Sequence, residues 1–257
     1  MLPSYCITLG ESTERWRAFQ KHAQGLGIQR FKAIDCRGAA YRAWQPLIGR
    51  AEFRELELIA VRGERERHDQ LTPGAVGCYL SHLEVMRRAY AHGHAKVVIF
   101  EDDAQPPPDL PGRLVQQLAA LDALDPAWDM LILGYIAPGK SLMPVPVRLH
   151  RFYRLHAYVV SERGMAKCLA LCYPLRKQLD SALSELSERI HIYGSVPQLV
   201  PNDDSFNTTI QLPLRPRQPR SATPPTKQPP KPPARPKSSL FAPPKEPRLP
   251  VHSSVRI

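Results

Sequence analysis

The sequence contains no run of the roughly 18 consecutive apolar residues that a membrane-spanning helix needs. Its start, MLPSYCITLGES, has neither the basic residues nor the apolar length of a secretory leader, so the expectation is a cytoplasmic chain. There is no CxxC pair. The five cysteines, Cys6, Cys36, Cys78, Cys168 and Cys172, are odd in number and scattered, which argues against a disulfide framework and a structural zinc site. Cys168 and Cys172 stand four apart on a predicted helix, where small buried packing residues are expected.

Acid is scarce in one region only. From Gln211 onward ten Lys or Arg face a single acid, Glu246, so +9 of the net +11 lies there and the first 210 residues are nearly neutral. The charge is therefore not the footprint of a nucleic-acid-binding domain, and no nucleic acid is expected as a partner. The same segment holds 14 of the 28 prolines and almost no apolar periodicity. It cannot bury a core and is expected to be extended and disordered, which sets a domain over 1–210 and a tail over 211–257. Within KQPPKPPARPK, Lys227, Pro230 and Pro233 have the spacing of a ligand for an SH3-like groove, with Arg235 beyond. The basic charges would equally suit an anionic membrane surface, placing the chain peripherally at an inner membrane face, or a solubilising tether.

Before the tail, strand-like and helix-like segments alternate. Ser4 to Leu9 reads as a strand. Ser12 can cap a helix whose Trp16, Phe19, Ala23 and Leu26 share a face until the glycines at 25 and 27 stop it. A strand over Arg30 to Asp35 follows, then a polar stretch from about 37 to 70. Thr72 and Pro73 open a helix with Val76, Leu80, Leu83, Met86 and Tyr90 at helical spacing, ending at Gly93. Lys96 to Phe100 is a strand, Leu114, Leu118 and Leu121 mark a helix, and Asp129 to Leu133 is a buried strand. This order predicts an α/β domain with a mostly parallel sheet.

In such sheets ligands bind beyond the carboxyl ends of the strands, where Glu101, Asp102 and Asp103 stand side by side. Adjacent carboxylates repel unless a cation sits between them, and a hard divalent metal is the natural candidate. A solvated acidic turn ahead of Pro106, Pro107 and Pro108 is the other reading.

The segments CITLGESTERW, AIDCRG, TPGAVGCYLSH and VIFEDD, followed by HAYVVSERGMAKCL, LDSAL and VPQLVPNDDSFNTTI, occur in an order that resembles glycosyltransferase family 25, the lipopolysaccharide-type and procollagen-type galactosyltransferases. The resemblance covers residues 3 to 210. It implies a GT-A-like, Rossmann-like nucleotide-sugar-binding domain that uses a UDP-sugar and Mn²⁺ or Mg²⁺. The reaction implied is transfer of a sugar, galactose from UDP-galactose first, onto a glycan or glycolipid acceptor such as lipopolysaccharide, by an inverting route.

On that resemblance Asp103, Asp102 and His156 would hold the metal, which stabilises charge on the departing diphosphate. Thr8, Arg15, Asp35, Ser81, His82, Glu101 and Asp102 would bind the donor. Asp180, the isolated acid of LDSAL, ranks ahead of Asp204 as the base that takes the acceptor proton, with Asp203 also a candidate. Plainer readings stand beside these. His156 is either aimed into the site or a satisfied inward histidine, Ser81 and His82 are ligands or packing contacts, Arg15 is a phosphate ligand or a solvated helix charge, and Asp35 binds the nucleoside or shapes a turn. The chain departs from the family pattern at Ala75, where Glu is usual, at TLGE after the first strand, where NLDR is usual, and at Asn202, where Gln is commoner. Those departures keep open a catalytically inactive, transferase-like binding module. An acid-dependent phosphohydrolase would explain the EDD strand end but not HAYVVS or NDDS.

Overall fold

Left-handed glycines at 25, 27, 38, 63 and 93 punctuate a chain of short apolar runs, and short buried strands with intervening helices result. The computed structural model describes residues 2–10, 13–137, 145–206 and 210–215. Ser12, and nearly all of the Pro-rich segment with its SH3-type spacing and its expected disorder, lie outside the described residues.

The first half contains β1 (Ser4–Thr8), α1 (Glu14–His22), β2 (Gln29–Lys32), a 3₁₀ helix (Ala40–Leu47), α2 (Arg50–Arg62), α3 (Pro73–Ala91) and β3 (Lys96–Glu101). The second half contains α4 (Leu110–Leu124), β4 (Met130–Ile136), β5 (Val147–Arg148), β6 (Tyr153–Ser161), α5 (Glu162–Leu171), α6 (Leu179–Glu185) and β7 (Ile192–Gly194). The strands form one seven-stranded sheet in the order β2-β1-β3-β6-β4-β7-β5. β1 is parallel to β2 and β3, and β4 is parallel to β7, while β6 runs against both β3 and β4 and β5 runs against β7. The expected α/β domain with a mostly parallel sheet is what the chain forms.

Period-two alternation sorts the sheet's side chains into two layers. Cys6, Val98, Phe100, Leu131, Leu133 and Val159 face α1 and α4, where they meet Phe19, Leu110, Leu114 and Leu121. Ile7, Val97, Ile99, Ile132, Tyr158 and Val160 face the other way, towards α3 and α5. Phe19 lies 5.9 Å from Phe100, ring to ring, which anchors α1 over the end of β3 and so fixes where Arg15 points. Burying a phenylalanine of this kind contributes about 1.5–3 kcal/mol.

Several boundaries differ from the sequence expectation for identifiable reasons. Thr13 caps α1, its Oγ1 accepting from Trp16 N at 3.1 Å, so the cap stands one residue beyond Ser12. β2 stops at Lys32 because Ile34 N leaves the sheet and bonds Ser81 Oγ on α3 at 2.8 Å. The polar stretch from 37 to 70 contains α2, whose Phe53, Leu56 and Ile59 are buried at a three-residue spacing and which ends at left-handed Gly63. On α3 the expected buried face holds at Val76, Leu80, Leu83 and Met86, but Tyr90 in the last turn is exposed. β6 is covered on both faces from Leu155 to Val160. Cys168 and Cys172 are both buried, as packing residues should be.

Two close approaches tie the site-bearing loops to the sheet. A side chain on Gly77 would meet Ile34 O at 2.4 Å, so glycine there lets the loop after β2 lie against the first turns of α3. The segment after β7 returns over the acid turn, with Gln105 N bonding Pro201 O at 2.9 Å and Asp203 N bonding Asp103 O at 2.7 Å. Farther on, Arg65 N donates to Pro213 O at 2.9 Å and Arg215 N to Arg65 O at 2.7 Å. The compact unit accordingly extends to Pro216, and the strap 210–215 belongs with it rather than with a tail beginning at 211. Among the described residues no helix is long and apolar enough to cross a membrane.

Candidate functional site

The carboxyl ends of β1 and β3 open into a cleft of about 1070 Å³ and an adjoining slot of about 170 Å³. Arg15, Cys78, His82, Glu101 and Ile210 line both. The cleft continues past Asp103, His156 and Asp180, and the slot runs between Ile7, Ala33, Ile34 and Gly74.

The three acids have three different environments. β3 ends at Glu101 and the chain turns at once, Ala104 N bonding Glu101 O at 3.1 Å, so Asp102 and Asp103 diverge. Asp102 turns towards β1 and α1, accepting from Thr8 Oγ1 at 2.7 Å and from Arg15 Nε at 2.7 Å. Asp103 pairs through Oδ2 with Arg15 Nη2 at 2.9 Å, and its Oδ1 is buried with no partner. Arg15 was expected either to reach a phosphate or to lie in solvent. It is not a solvated helix charge: with 13% of its side chain exposed, it bridges the two aspartates at the wall of the cleft. The cation that relieves their repulsion is thus a guanidinium, and both oxygens of Asp102 are already engaged.

Burial, reinforced by the charge of Glu101, pushes the Asp103 carboxyl from an ordinary 3.8 to about 7. Glu101 goes the other way. Burial opposes its charge, but the hydrogen bond from His82 and the positive charge around it hold its carboxyl below the usual value. His82 Nε2 lies 3.2 Å from Glu101 Oε1, and its Nδ1 lies 2.9 Å from the hydroxyl of Tyr158, a fully buried residue of β6 stacked on the imidazole.

His156 is aimed into the site. Its Nε2 lies 3.0 Å from Val200 O, and because a carbonyl only accepts, Nε2 carries the proton. Nδ1 then keeps its lone pair, buried and without a partner, and burial lowers the pKa so that the ring stays neutral. The arrangement depends on Gly134 of β4: a side chain there would meet Val200 O at 2.2 Å and His156 Nε2 at 2.4 Å. Asp103 and His156 line the same cleft.

Asp180 lies in the first turn of α6 and also lines the cleft. Its Oδ1 accepts from Ser181 N at 2.7 Å and its Oδ2 from Arg154 N at 3.1 Å, and burial raises its pKa. Arg154 opens the site end of β6 with φ 73°, a left-handed conformation that a non-glycine residue adopts at a cost. That twist points its N–H at Asp180 while its guanidinium reaches Asp204, with Nη2 to Oδ1 at 2.9 Å. Asp204 is exposed, and Asp203 closes a turn on Ser205 N at 3.0 Å.

The remaining expected residues divide. Thr8 lines the slot as the holder of Asp102. Asp35 stands at the slot, half-exposed, paired with Arg37 at 2.6 Å, which lowers its pKa. Ser81 is fully buried, donates to Gly77 O at 2.6 Å and accepts from Ile34 N, so it shapes the slot without facing it. Residues that motif reading passed over are Gly134, Tyr158, Arg154 and Cys78. Of these only Cys78, four residues before His82, carried a signal in the sequence.

Residues 1–109 match the family model described as glycosyltransferase family 25 (LPS biosynthesis protein). A curated relative from Bos taurus, named probable inactive glycosyltransferase 25 family member 3, is 36% identical over 115 residues. The Homo sapiens protein named inactive glycosyltransferase 25 family member 3 is 35% identical over 115 residues. In both cases the match takes in 42% of this chain and spans only 19% of the relative's length. Among solved structures, A197 from STIV aligns with a TM-score of 0.42 at 8% identity over 82% of this chain and 98% of that one. Apo UDP-glucose pyrophosphorylase aligns with a TM-score of 0.37 at 10% identity over 76% and 90%. The resemblance carried by TPGAVGCYLSH and VIFEDD is thereby shown over the first 109 residues, which are similar to glycosyltransferase family 25.

Proposed function

We propose that the chain transfers a sugar from a nucleotide-sugar, with the donor's diphosphate held beside Asp103 and His156 through a divalent cation, Mn²⁺ or Mg²⁺. The observation that carries the reading is the pair of buried, unpartnered acceptor atoms, Asp103 Oδ1 and His156 Nδ1, on the wall of one cleft. Leaving a polar atom buried and unsatisfied costs about 1–3 kcal/mol, so two in one cavity point to a missing ligand. Such ions take one or two protein groups and complete their shell with phosphate oxygens and water, so this donor set fits. Asp102, already held by Thr8 and Arg15, would act by positioning Arg15. When bound, the cation would supply Lewis-acid stabilisation of the departing diphosphate.

The other roles follow from the side chains alone. The slot's apolar walls suit the flat face of a nucleobase, with Asp35 at its rim for a ribose hydroxyl. Asp180 is the base for the acceptor hydroxyl: it lines the cleft, its raised pKa strengthens it as a base, and Arg154 N–H fixes its orientation. Asp204 is tied to the Arg154 guanidinium and is the weaker candidate. The finer reading is galactose from UDP-galactose, passed to a lipopolysaccharide-type glycan at the cytoplasmic face of a membrane that the basic C-terminal segment would engage. It is supported by the description of the matching family and by the charge of that segment.

A second reading, a binding module without turnover, is favoured by Arg15, which already neutralises the acid pair, by Ala75 at the cleft where the resemblance has Glu, and by the word inactive in the relatives' names. Nucleotide-sugar hydrolysis assayed with Mn²⁺ and with chelator separates the two. Metal-dependent release of UDP that is lost in Asp103→Asn supports the transferase, and UDP binding with no release under any metal supports the module.

A further inference from the structure

We infer that Cys78, His82 and Glu101 form a second cation site, suited to a thiophilic ion such as Zn²⁺, on the wall shared by the cleft and the slot. The inference stands apart from the transferase reading, because it uses none of the donor atoms assigned there.

Among the described residues this is the one group of three Cys, His, Asp or Glu side chains whose donor atoms all lie within 4.8 Å of one another. Cys78 and His82 are four residues apart on α3 and so lie one above the other on one face, and Glu101 meets them from the end of β3. Their spacing is close to what zinc requires. Donors about 2.0–2.3 Å from a tetrahedral Zn²⁺ stand about 3.3–3.6 Å apart, and His82 Nε2 is already 3.2 Å from Glu101 Oε1. Because the three atoms lie within 4.8 Å of one another, an ion entering there replaces one hydrogen bond and draws the thiolate in by no more than about 1.5 Å.

The far side of the imidazole is also prepared. His82 Nδ1 lies 2.9 Å from the Tyr158 hydroxyl, which can accept as well as donate, so the ring stays held in place when Nε2 gives up its proton to bind an ion. Three protein ligands of mixed S, N and O character leave a fourth position open, as in zinc sites that bind an exchangeable ligand. All three residues line the cleft, so that position would accept water or an oxyanion entering there. The sulfur donor selects against Mg²⁺, which prefers oxygen, and so distinguishes this site from the one proposed at Asp103 and His156.

Co²⁺ reports on such a site because thiolate coordination gives a sulfur-to-metal charge-transfer absorption. The full-length protein, free of nucleotide, should take up one equivalent of Co²⁺ with that absorption, and Zn²⁺ should bleach it. Cys78→Ser should abolish the absorption, with Cys78→Ala as a second variant and circular dichroism confirming the fold of each. Glu101→Gln and Tyr158→Phe should weaken Co²⁺ binding by about 10-fold or more. Asp103→Asn should retain the wild-type absorption. Absence of the absorption in the wild type, its survival in both Cys78 variants, or its loss in Asp103→Asn would each overturn the assignment.

Discussion

Asp103→Asn should make the protein more stable at neutral and alkaline pH while leaving it unchanged in acid. A carboxyl raised in the folded state from 3.8 to about 7 means that the native protein holds a proton the unfolded chain has released. Native stability therefore falls as pH climbs through that window, is fully present below 3.8, and reaches its floor above about 7. At 1.36 kcal/mol per pKa unit the ceiling is about 4 kcal/mol. Two effects reduce it. The side chain keeps 19% of its exposure, and Arg15 loses a charged partner at 2.9 Å, an interaction of about 1.5–3 kcal/mol. A net gain of about 1–2 kcal/mol should remain at pH 8, a rise in Tm of about 3–6 °C for a unit of this size. The assay is thermal unfolding in chelator from pH 4 to pH 8. The two curves should coincide near pH 4 and separate progressively towards pH 7. Saturating Mn²⁺ at pH 8 should raise the wild type and leave the variant where it was. A variant less stable than wild type at pH 8, or a difference that does not change with pH, would show that Asp103 is not held against its charge and would remove the main physical sign that it awaits a cation.

Other substitutions probe separate parts of the site. Asp180→Asn keeps the size and one of the two acceptor oxygens but not the basicity, so turnover should fall by roughly 10² or more with donor binding retained, read as kcat against KM; the same result from Asp204→Asn instead would reverse the two roles. Gly134→Ala forces a methyl against Val200 O and His156 Nε2, which should cost about 1–3 kcal/mol in urea unfolding and weaken Mn²⁺ binding in calorimetry, and unchanged stability would refute the close approach. Arg15→Gln leaves Asp102 and Asp103 without their shared cation, so stability at pH 8 should fall by about 2–4 kcal/mol, and the loss should shrink as pH falls through about 7 and the Asp103 carboxyl takes up its proton.

How much of this was legible in the sequence depends on the range of the interaction that decides each feature. α3 was readable because its signals are local: Thr72 caps it, Pro73 begins it, and its apolar residues recur within one helix. α2 was not, because Glu52, Arg54, Glu55 and Glu57 surround Phe53 and Leu56 and mask a narrow buried stripe within a charged run. The acids at 101 to 103 were recognisable as a site from the strand that presents them. Their individual partners were not, since Thr8 is 94 residues and Arg15 is 87 residues from Asp102 in the chain. Gly134 and Arg154 matter through a single close approach and a single left-handed dihedral, and neither leaves a pattern in the residues around it.

Three consecutive carboxylates call for positive charge, and the first cation that meets them is a guanidinium. Repulsion does require positive charge between Asp102 and Asp103, and α1 supplies it, because Phe19 packed on Phe100 brings Arg15 over the end of β3. Arg15 nevertheless leaves the cluster unfinished. One guanidinium against Glu101, Asp102 and Asp103 leaves two negative charges when all three are ionised, and the raised carboxyl of Asp103 shows where the remaining strain sits. The oxygen that Arg15 does not touch, Asp103 Oδ1, is the one that is buried and unpartnered. A divalent ion arriving there would complete the neutralisation without evicting the arginine, whereas an ion between Asp102 and Asp103 would have to displace it. The guanidinium is then best understood as one third of the counter-charge, fixed in the fold, with the other two thirds left to whatever enters the cleft.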